Sequence, residues 1–402
     1  MNLRQPILII LIAFAVTSTS SSNAEDLHEH DPVDDHGHAN DGSIGGFLFP
    51  SMFAFGTFGA FEPGANPEDF ATTEHDPLNE AGIQAVEFDL EININDRITG
   101  LVAGFVYQDT DHKFTGEFEE SFLHYQLDQN LAFGGGQFLN TFGFQNSRHT
   151  HEWEFVNQNL VQSRALNEGH LTTHGGEILL NTPKNGGLLT LAGGGVQNHE
   201  EDHGHSDEIH GEDHHDEFET HGANLSSYVF SVDYRFQLPQ NPAGTVSLSY
   251  ARGGNQSGGT NDIYGLGYQQ IWNPHHDDDE QEFGAGALML RSEFVGRSAE
   301  VFLEDGNDAE FDDYGITASA HYGISDRAVL SLRHDWISKI DLADEGETHR
   351  TSPALSYFLG KQKRGMIRFQ YDHVNDKQIG SEHVGWLQFR LQMGGSTRSH
   401  DH

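Results

Sequence analysis

The strongest constraint in this chain is a strict two-residue alternation of apolar and polar side chains over long segments. Between Ile83 and Asp96, the residues Val86, Phe88, Leu90, Ile92 and Ile94 share one face, while Glu87, Asp89, Glu91 and Asn93 share the other. Successive side chains of an extended strand point to opposite sides, so the pattern predicts a two-sided strand and excludes an amphipathic helix. The same period sets Tyr228, Phe230, Val232, Tyr234 and Phe236 against Ser227, Ser231, Asp233 and Arg235. It returns where Ile367, Phe369 and Tyr371 oppose Arg368, Gln370 and Asp372, and where Leu387, Phe389, Leu391 and Met393 oppose Gln388, Arg390 and Gln392. A soluble secreted sandwich also alternates, but its strands are usually shorter and its connections short at both ends.

Here, short connections near Asp96 and at 128–130, 183–187, 239–244, 325–326 and 361–365 alternate with mostly longer polar, charged or Gly-rich ones. Turns on one side and long loops on the other are the asymmetry of an outer-membrane barrel. Counting under that rule gives strands starting near residues 47, 82, 97, 114, 130, 172, 187, 224, 244, 262, 283, 311, 326, 350, 365 and 383. The predicted fold is therefore all-β: a transmembrane antiparallel β-barrel of about 16 strands with long extracellular loops, spanning residues 47–393. A TonB-dependent receptor, with 22 strands and a plug, would need far more chain.

The ends carry different signals. Arg4 precedes an apolar run from Pro6 to Val16, and Ser22-Asn23-Ala24 supplies small residues for cleavage, so residues 1–24 read as a secretory signal peptide. Residues 25–46 read as an acidic, His-containing periplasmic arm, and residues 394–402 as a polar C-terminal tail. The apolar run is shorter than the ~20 residues a spanning helix needs. With no cysteine, the chain has no thiolate metal ligand, disulfide or lipid-attachment thiol.

A net charge of −41, with 27 His counted neutral, argues against nucleic acid and phosphate as partners and favours cations. The 28 Phe argue against disorder as the reason for the polarity. No GxSxG elbow is present, and the third outer loop has no HExxH, so the chain reads as a non-enzyme.

That third loop, residues 140–176, mixes Trp153, Phe155, Val156, Leu160 and Val161 with charges and is too apolar to extend into solvent. It is expected to fold into the barrel mouth, where Arg148, Glu152, Glu154, Arg164 and Glu168, with His170 and His174, would line a constriction of mixed sign. On an extended segment His149 and His151 would share a face and hold one ion with Glu152 or Glu154; loop hydrogen bonds are the plainer use for both. The lumen face adds Glu87, Asp89 and Glu91, then Glu120 and His124, while inward Arg235, Arg333, Arg368 and Arg390 temper the field.

The fourth outer loop is the most unusual segment. Residues 199–221 contain seven His (His199, His203, His205, His210, His214, His215 and His221) and ten Asp or Glu. Imidazole with carboxylate suits zinc, nickel or copper, so the tract reads as a collector of divalent metal ions at the pore mouth; a hydrated low-complexity shield is the alternative.

The run from Gly134 to Gly169 resembles a family of porin-like outer-membrane proteins, variously labelled zinc-regulated outer-membrane proteins or TonB-dependent receptors. The matching positions are Gly136, Phe138, Gly143, Asn146, His149, His151, Trp153, Phe155, Val156 and Arg164, and the resemblance covers residues 114–176. The wider architecture is similar to phosphate-selective porins and TonB-independent siderophore porins. Two features depart: the last strand ends at Met393 rather than on a terminal aromatic, and the acidic balance does not suit a phosphate channel.

This resemblance implies passive, TonB-independent uptake of a divalent metal, zinc favoured, or of a metal complex across a Gram-negative outer membrane. Zn²⁺ would be a transported or transiently bound ion, with no cofactor required. Partners would be outer-membrane lipid, divalent metal ions and, for a barrel of this size, two further copies in a homotrimer. A general porin for small polar solutes and a non-conducting surface metal-binding protein are the alternatives.

Overall fold

The computed structural model describes residues 44–63, 70–182, 186–196, 223–238, 241–273, 284–303, 306–343, 345–377 and 380–394. The expected signal peptide, the acidic arm up to residue 43, the His-rich tract 199–221 and the tail from residue 395 lie outside them.

Sixteen strands form. They are β1 (Leu48–Phe61), β2 (Ala81–Asn95), β3 (Ile98–Gln108), β4 (Phe114–Gln126), β5 (Leu131–Leu139), β6 (Thr172–Thr182), β7 (Gly187–Val196) and β8 (Leu225–Leu238), followed by β9 (Asn241–Asn255), β10 (Thr260–Trp272), β11 (Leu288–Phe302), β12 (Asp308–Ser325), β13 (Ala328–Ile337), β14 (Thr348–Leu359), β15 (Gly365–Asp376) and β16 (Gly380–Gly394). Each pairs antiparallel with its sequence neighbours, and β1 also pairs with β16, so the sheet closes on itself. At the seam Phe53 lies opposite Gln392 on one side and Glu87 on the other. Closure leaves no unpaired strand edge.

The two faces of the barrel are inverted relative to a soluble protein. Along β2, Glu87, Asp89 and Glu91 are buried while Phe88 is exposed on the outside. Along β13, Ser331, Arg333 and Asp335 are buried while Leu330 and Leu332 are exposed. Exposed apolar side chains recur at alternate positions around the wall, among them Phe230, Leu266, Phe294, Ile316, Leu355 and Phe389. Such a surface exceeds what a soluble monomer tolerates, and it is what a lipid-facing band requires.

Apart from the connection 273–287, tight turns close one end, with two residues at 96–97 and at 326–327. At the first, Asn95 Oδ1 accepts from the backbone N–H groups of Arg97 (2.9 Å) and Ile98 (3.1 Å), an Asx turn. At the other end, the connections 62–80, 140–171 and 197–224 are long and 338–347 is intermediate. Those at 109–113, 256–259, 303–307 and 377–379 are short, which corrects the expectation of mostly long loops. Closing a barrel fixes strand pairing and leaves loop length free, and a few residues suffice to reverse an antiparallel strand.

The loop 140–171, hereafter L3, lies inside the barrel: none of its residues whose burial is described is exposed. Its apolar side chains make a core with the inner wall, in which Phe142, Val161, Leu166 and Leu171 pack against Leu225, Val229, Ile263 and Val295. Close approach is possible because β10 carries Gly265 and Gly267 there; a Cβ on each would sit 2.9 Å from the Phe142 ring and 2.7 Å from the Phe144 ring. A single short helix, α1 (Leu160–Ala165), is capped by Asn159, whose side chain accepts from Gln162 N–H at 2.9 Å. The described part of L1 (62–80) also turns inward, burying Phe70, Thr73, His75 and Asp76.

Candidate functional site

A loop threaded through a barrel has many backbone groups to satisfy away from bulk water. Inward arginines supply most of the charged donors. Arg368, on β15, donates to Trp153 O at 2.7 Å and Phe155 O at 2.8 Å. Arg333, on β13, donates to Asn157 O at 2.8 Å and Asn157 Oδ1 at 2.7 Å. Arg235 reaches Gly143 O at 2.6 Å, Arg350 reaches Gln158 O, and Arg390 reaches His151 O. The four arginines expected to temper the lumen field do point inward, and each is spent on an L3 carbonyl. Acceptors serve the loop N–H groups in turn: Glu293 for Phe144 (2.5 Å), Gln370 for Val156 (2.7 Å) and Asp76 for Gln158 (2.7 Å).

The expected constriction residues are placed as follows. Arg148 and Glu154 pair at 2.7 Å, and Arg291 of β11 approaches Glu154 at 3.4 Å. Burial raises the Glu154 pKa, but Arg148 and Arg291 outweigh it and hold the carboxyl well below its usual range. Glu152 Oε2 accepts from His149 N–H at 3.2 Å. Arg164 sits on α1 against the wall, 3.3 Å from Asp313, and donates to Ser338 O at 2.7 Å. Glu168 lies in a 3₁₀ turn at Asn167–Gly169, and its side chain is outside the described atoms. His174 is a correction: it lies on β6 and is exposed on the outer face, because the strand begins at Thr172 and directs Thr173 inward.

His149 and His151 are brought together, though not as an extended pair. A 3₁₀ turn at Thr150–Glu152 follows His149, and the two rings stack nearly parallel with centroids 5.7 Å apart. The His151 ring also lies parallel to Phe53, at 3.9 Å. The carboxylates hydrogen-bonded to their rings come from the barrel wall, while Glu152 acts on His151 through its charge, as its expected place nearby requires. His149 Nδ1 is 3.2 Å from Glu119 and Nε2 is 2.8 Å from Glu120. His151 Nδ1 is 2.8 Å from Glu87 and 3.9 Å from Asp89. Glu154 is unavailable to them because its arginine partners engage it first.

The two histidines titrate in opposite directions. Burial alone would lower His149, but Glu119 and Glu120 face both its ring nitrogens and hold it well above the usual imidazole value. For His151 burial wins and pushes it down to about 4. His149 is thus the cationic member.

Glu119 was not expected in the lumen. Strict alternation from Glu120 directs it outward, but the register shifts at that point: Ala103 faces Glu120 while Gly104 faces Phe118. Glu119 is the extra residue of a β-bulge. Two consecutive glutamates therefore point inward, and both are buried. The remaining expected lumen residues are where alternation puts them, with His124 of β4 2.6 Å from Glu177 of β6. Glu87 Oε1, Asp89 Oδ1 and Glu119 Oε1 are buried and accept no hydrogen bond.

Around the lumen, Glu87, Asp89, Glu119 and Glu120 of β2 and β4 face histidines of L3, whereas the buried carboxylates Asp233, Asp313 and Asp335 of β8, β12 and β13 pair with arginines. His75 of L1 and His170 near the end of L3 lie beside Glu119.

No family model and no curated protein matches this chain. Solved structures do. OmpT (in-vitro folded), an outer membrane protein of Vibrio cholerae, is similar with a TM-score of 0.54 at 8% identity, over 86% of this chain and 97% of that one. The same protein is also known in a trimer form. The outer membrane channel DcaP of Acinetobacter baumannii gives a TM-score of 0.54 at 10% identity over 86% and 97%. An anion-selective porin from Comamonas acidovorans gives 0.53 at 11% over 86% and 100%. The closed sixteen-stranded antiparallel barrel of this chain is the fold of these outer-membrane proteins.

Proposed function

We propose that this chain is an outer-membrane, porin-like channel whose cargo crosses passively and without TonB, and that the cargo is a divalent metal ion, zinc favoured, or a metal complex. The channel reading is supported by the apolar exterior, the charged interior and the fold shared with outer-membrane proteins. The metal reading is carried by one observation: two stacked histidines inside the lumen face four wall carboxylates, three of which, Glu87, Asp89 and Glu119, have oxygens that accept no hydrogen bond. Imidazole and carboxylate together suit borderline divalent ions.

In this reading the His-rich tract 199–221 concentrates metal outside, and His151 with Glu87 and Asp89, joined by His149 once it gives up its proton, offers a stop within. A homotrimer is part of the proposal, by analogy with the trimer form of the Vibrio protein. A general porin for small polar solutes is the second reading, favoured by the engagement of both His149 ring nitrogens.

The test is zinc entry into liposomes containing the purified full chain and an enclosed zinc dye. Entry faster than for calcium, and reduced by substituting His149 and His151 with Ala, is the expected result. Equal passage of zinc, calcium and small sugars, unaffected by the double substitution, would favour the general porin.

A further inference from the structure

We propose a binding site for one borderline divalent ion of the zinc class at His75, Glu119 and His170. It deepens the metal reading above by naming a station in the lumen, and its residues differ from the His149–His151 pair.

Three separate elements deliver the ligands. His75 comes from L1, Glu119 from the bulge of β4, and His170 from the last turn of L3. One ligand atom of each lies within 4.8 Å of the other two. His75 Nε2 is 3.5 Å from Glu119 Oε1, which is buried and accepts no hydrogen bond. The His75 and His170 rings meet edge to face, with centroids 4.8 Å apart. Ligand atoms ~2.0–2.2 Å from one tetrahedral ion stand about 3.3–3.6 Å apart, so the His75–Glu119 pair fits as it stands and the wider separations, up to 4.8 Å, must close around the ion.

The surroundings aim the ligands. Thr150 Oγ1 lies 3.3 Å from His75 Nδ1. With Nδ1–H donating to that hydroxyl, the Nε2 lone pair points into the cluster, which is how an outer partner fixes the tautomer of a metal-ligating histidine. Phe105 packs against the buried His75 ring at 4.2 Å, and Trp153 flanks the half-buried His170 at 5.9 Å. Gly169 explains how L3 comes so close to L1. Its φ of +113° is in the region that favours glycine, and a Cβ there would meet Thr73 Cγ2 at 2.5 Å. Glutamate 119 faces this cluster only because of the bulge.

Two imidazoles and one carboxylate select zinc, nickel or copper over calcium and magnesium, which take all-oxygen shells. Three protein ligands also leave a coordination position open, the arrangement of a site that exchanges its ion and not of a closed structural one. Glu74, 3.6 Å from His75 Nε2, stands beside that position. Glu119 also touches His149 at 3.2 Å, so one carboxylate is shared between this cluster and the His149–His151 pair.

The experiment titrates the full-length purified barrel with Zn²⁺ against a chromophoric chelator at about pH 7.5, where free imidazole is neutral. The chelator suppresses the weak sites of the His-rich tract. Expected is one tight equivalent in the wild type, weakened by about tenfold or more in Glu119→Gln and in His170→Ala. Glu119→Gln is isosteric, and heat-modifiable migration reports assembly of each barrel. His124→Ala, at an inward histidine of β4 outside the cluster, should retain the tight equivalent. No tight equivalent in the wild type, or an undiminished one in both variants of the cluster, would overturn the proposal. Zinc entry into liposomes is measured in parallel. Entry without a tight site overturns this inference and leaves the transport reading standing; a tight site lost in the variants, without zinc entry, supports the inference and overturns the transport reading.

Discussion

Replacing Arg368 with Met tests whether the arginines hold L3 in place. The guanidinium is buried and makes four well-formed hydrogen bonds: to Trp153 O at 2.7 Å, to Phe155 O at 2.8 Å, and to Ser356 Oγ and Gln388 Oε1 at 3.0 Å. Only the first two bear on the loop. A hydrogen bond to a charged donor contributes ~1.5–3 kcal/mol, so two contribute about 3–6 kcal/mol to the placement of this stretch. A smaller side chain admits water to the abandoned carbonyls, so the lower end applies. At about 1.4 kcal/mol per tenfold, a loss of ~3 kcal/mol raises the displaced population about a hundredfold.

The displaced stretch should be short, because Arg390 holds His151 O on one side and Arg333 holds Asn157 on the other. The assay is single-channel recording of assembled barrels in planar bilayers. Arg368→Met should show frequent excursions to a larger conductance that are rare in the wild type. Arg368→Lys should be intermediate, since a lysine keeps the charge but not the fork that serves two carbonyls. Wild-type current histograms from both variants, with assembly verified, would refute the idea that these arginines position the loop.

Three further outcomes follow from the same picture. Glu154 is held well below the usual carboxylate range, so its ion pairs stabilise L3 above the unfolded carboxylate pKa of ~4.3 and lose that contribution as pH falls through the folded value. Acid should therefore increase protease access to L3, and Glu154→Gln should show high access at all pH values; an unchanged acid profile in that variant would count against the ion pair. His149 has the opposite sign: its raised pKa gives a contribution fully present below the unfolded value of ~6.5 and lost as pH rises through the folded value. Alkaline loosening of L3, measured by hydrogen exchange, should disappear in His149→Gln. On the wall, Leu332→Arg places a charge on the apolar exterior and should destabilise the barrel in lipid vesicles by ~2–4 kcal/mol in a denaturant titration, whereas Thr351→Ser on the same face should stay near the wild type; equal midpoints for the two would contradict the lipid-facing assignment.

The barrel was legible because its physics is local. An inward polar face and an outward apolar face impose a period of two on every strand, and each strand start lies within five residues of its expected position, the largest gap being 283 against 288. L3 was legible in outline for a similar reason, since Trp153, Phe155 and Val161 have no place in solvent. The partners of its charged residues were not. Which carboxylate meets His149 depends on a one-residue bulge at Glu119, and a bulge leaves no mark in the alternation other than an apparent error of face. Likewise Arg235, Arg333, Arg368 and Arg390 were correctly turned inward, but their use as donors to loop carbonyls depends on where L3 passes. His75 escaped notice because L1 carries no apolar signal comparable to that of L3, although its neighbour Phe70 is buried with Val156 and Trp386.

Single-channel current from the purified full-length wild type in a planar bilayer decides whether the lumen conducts past the clamped loop. Discrete, reproducible conductance steps that change on addition of micromolar zinc are predicted. Fully assembled, inserted barrels that carry no current under any ionic condition would contradict a conducting lumen.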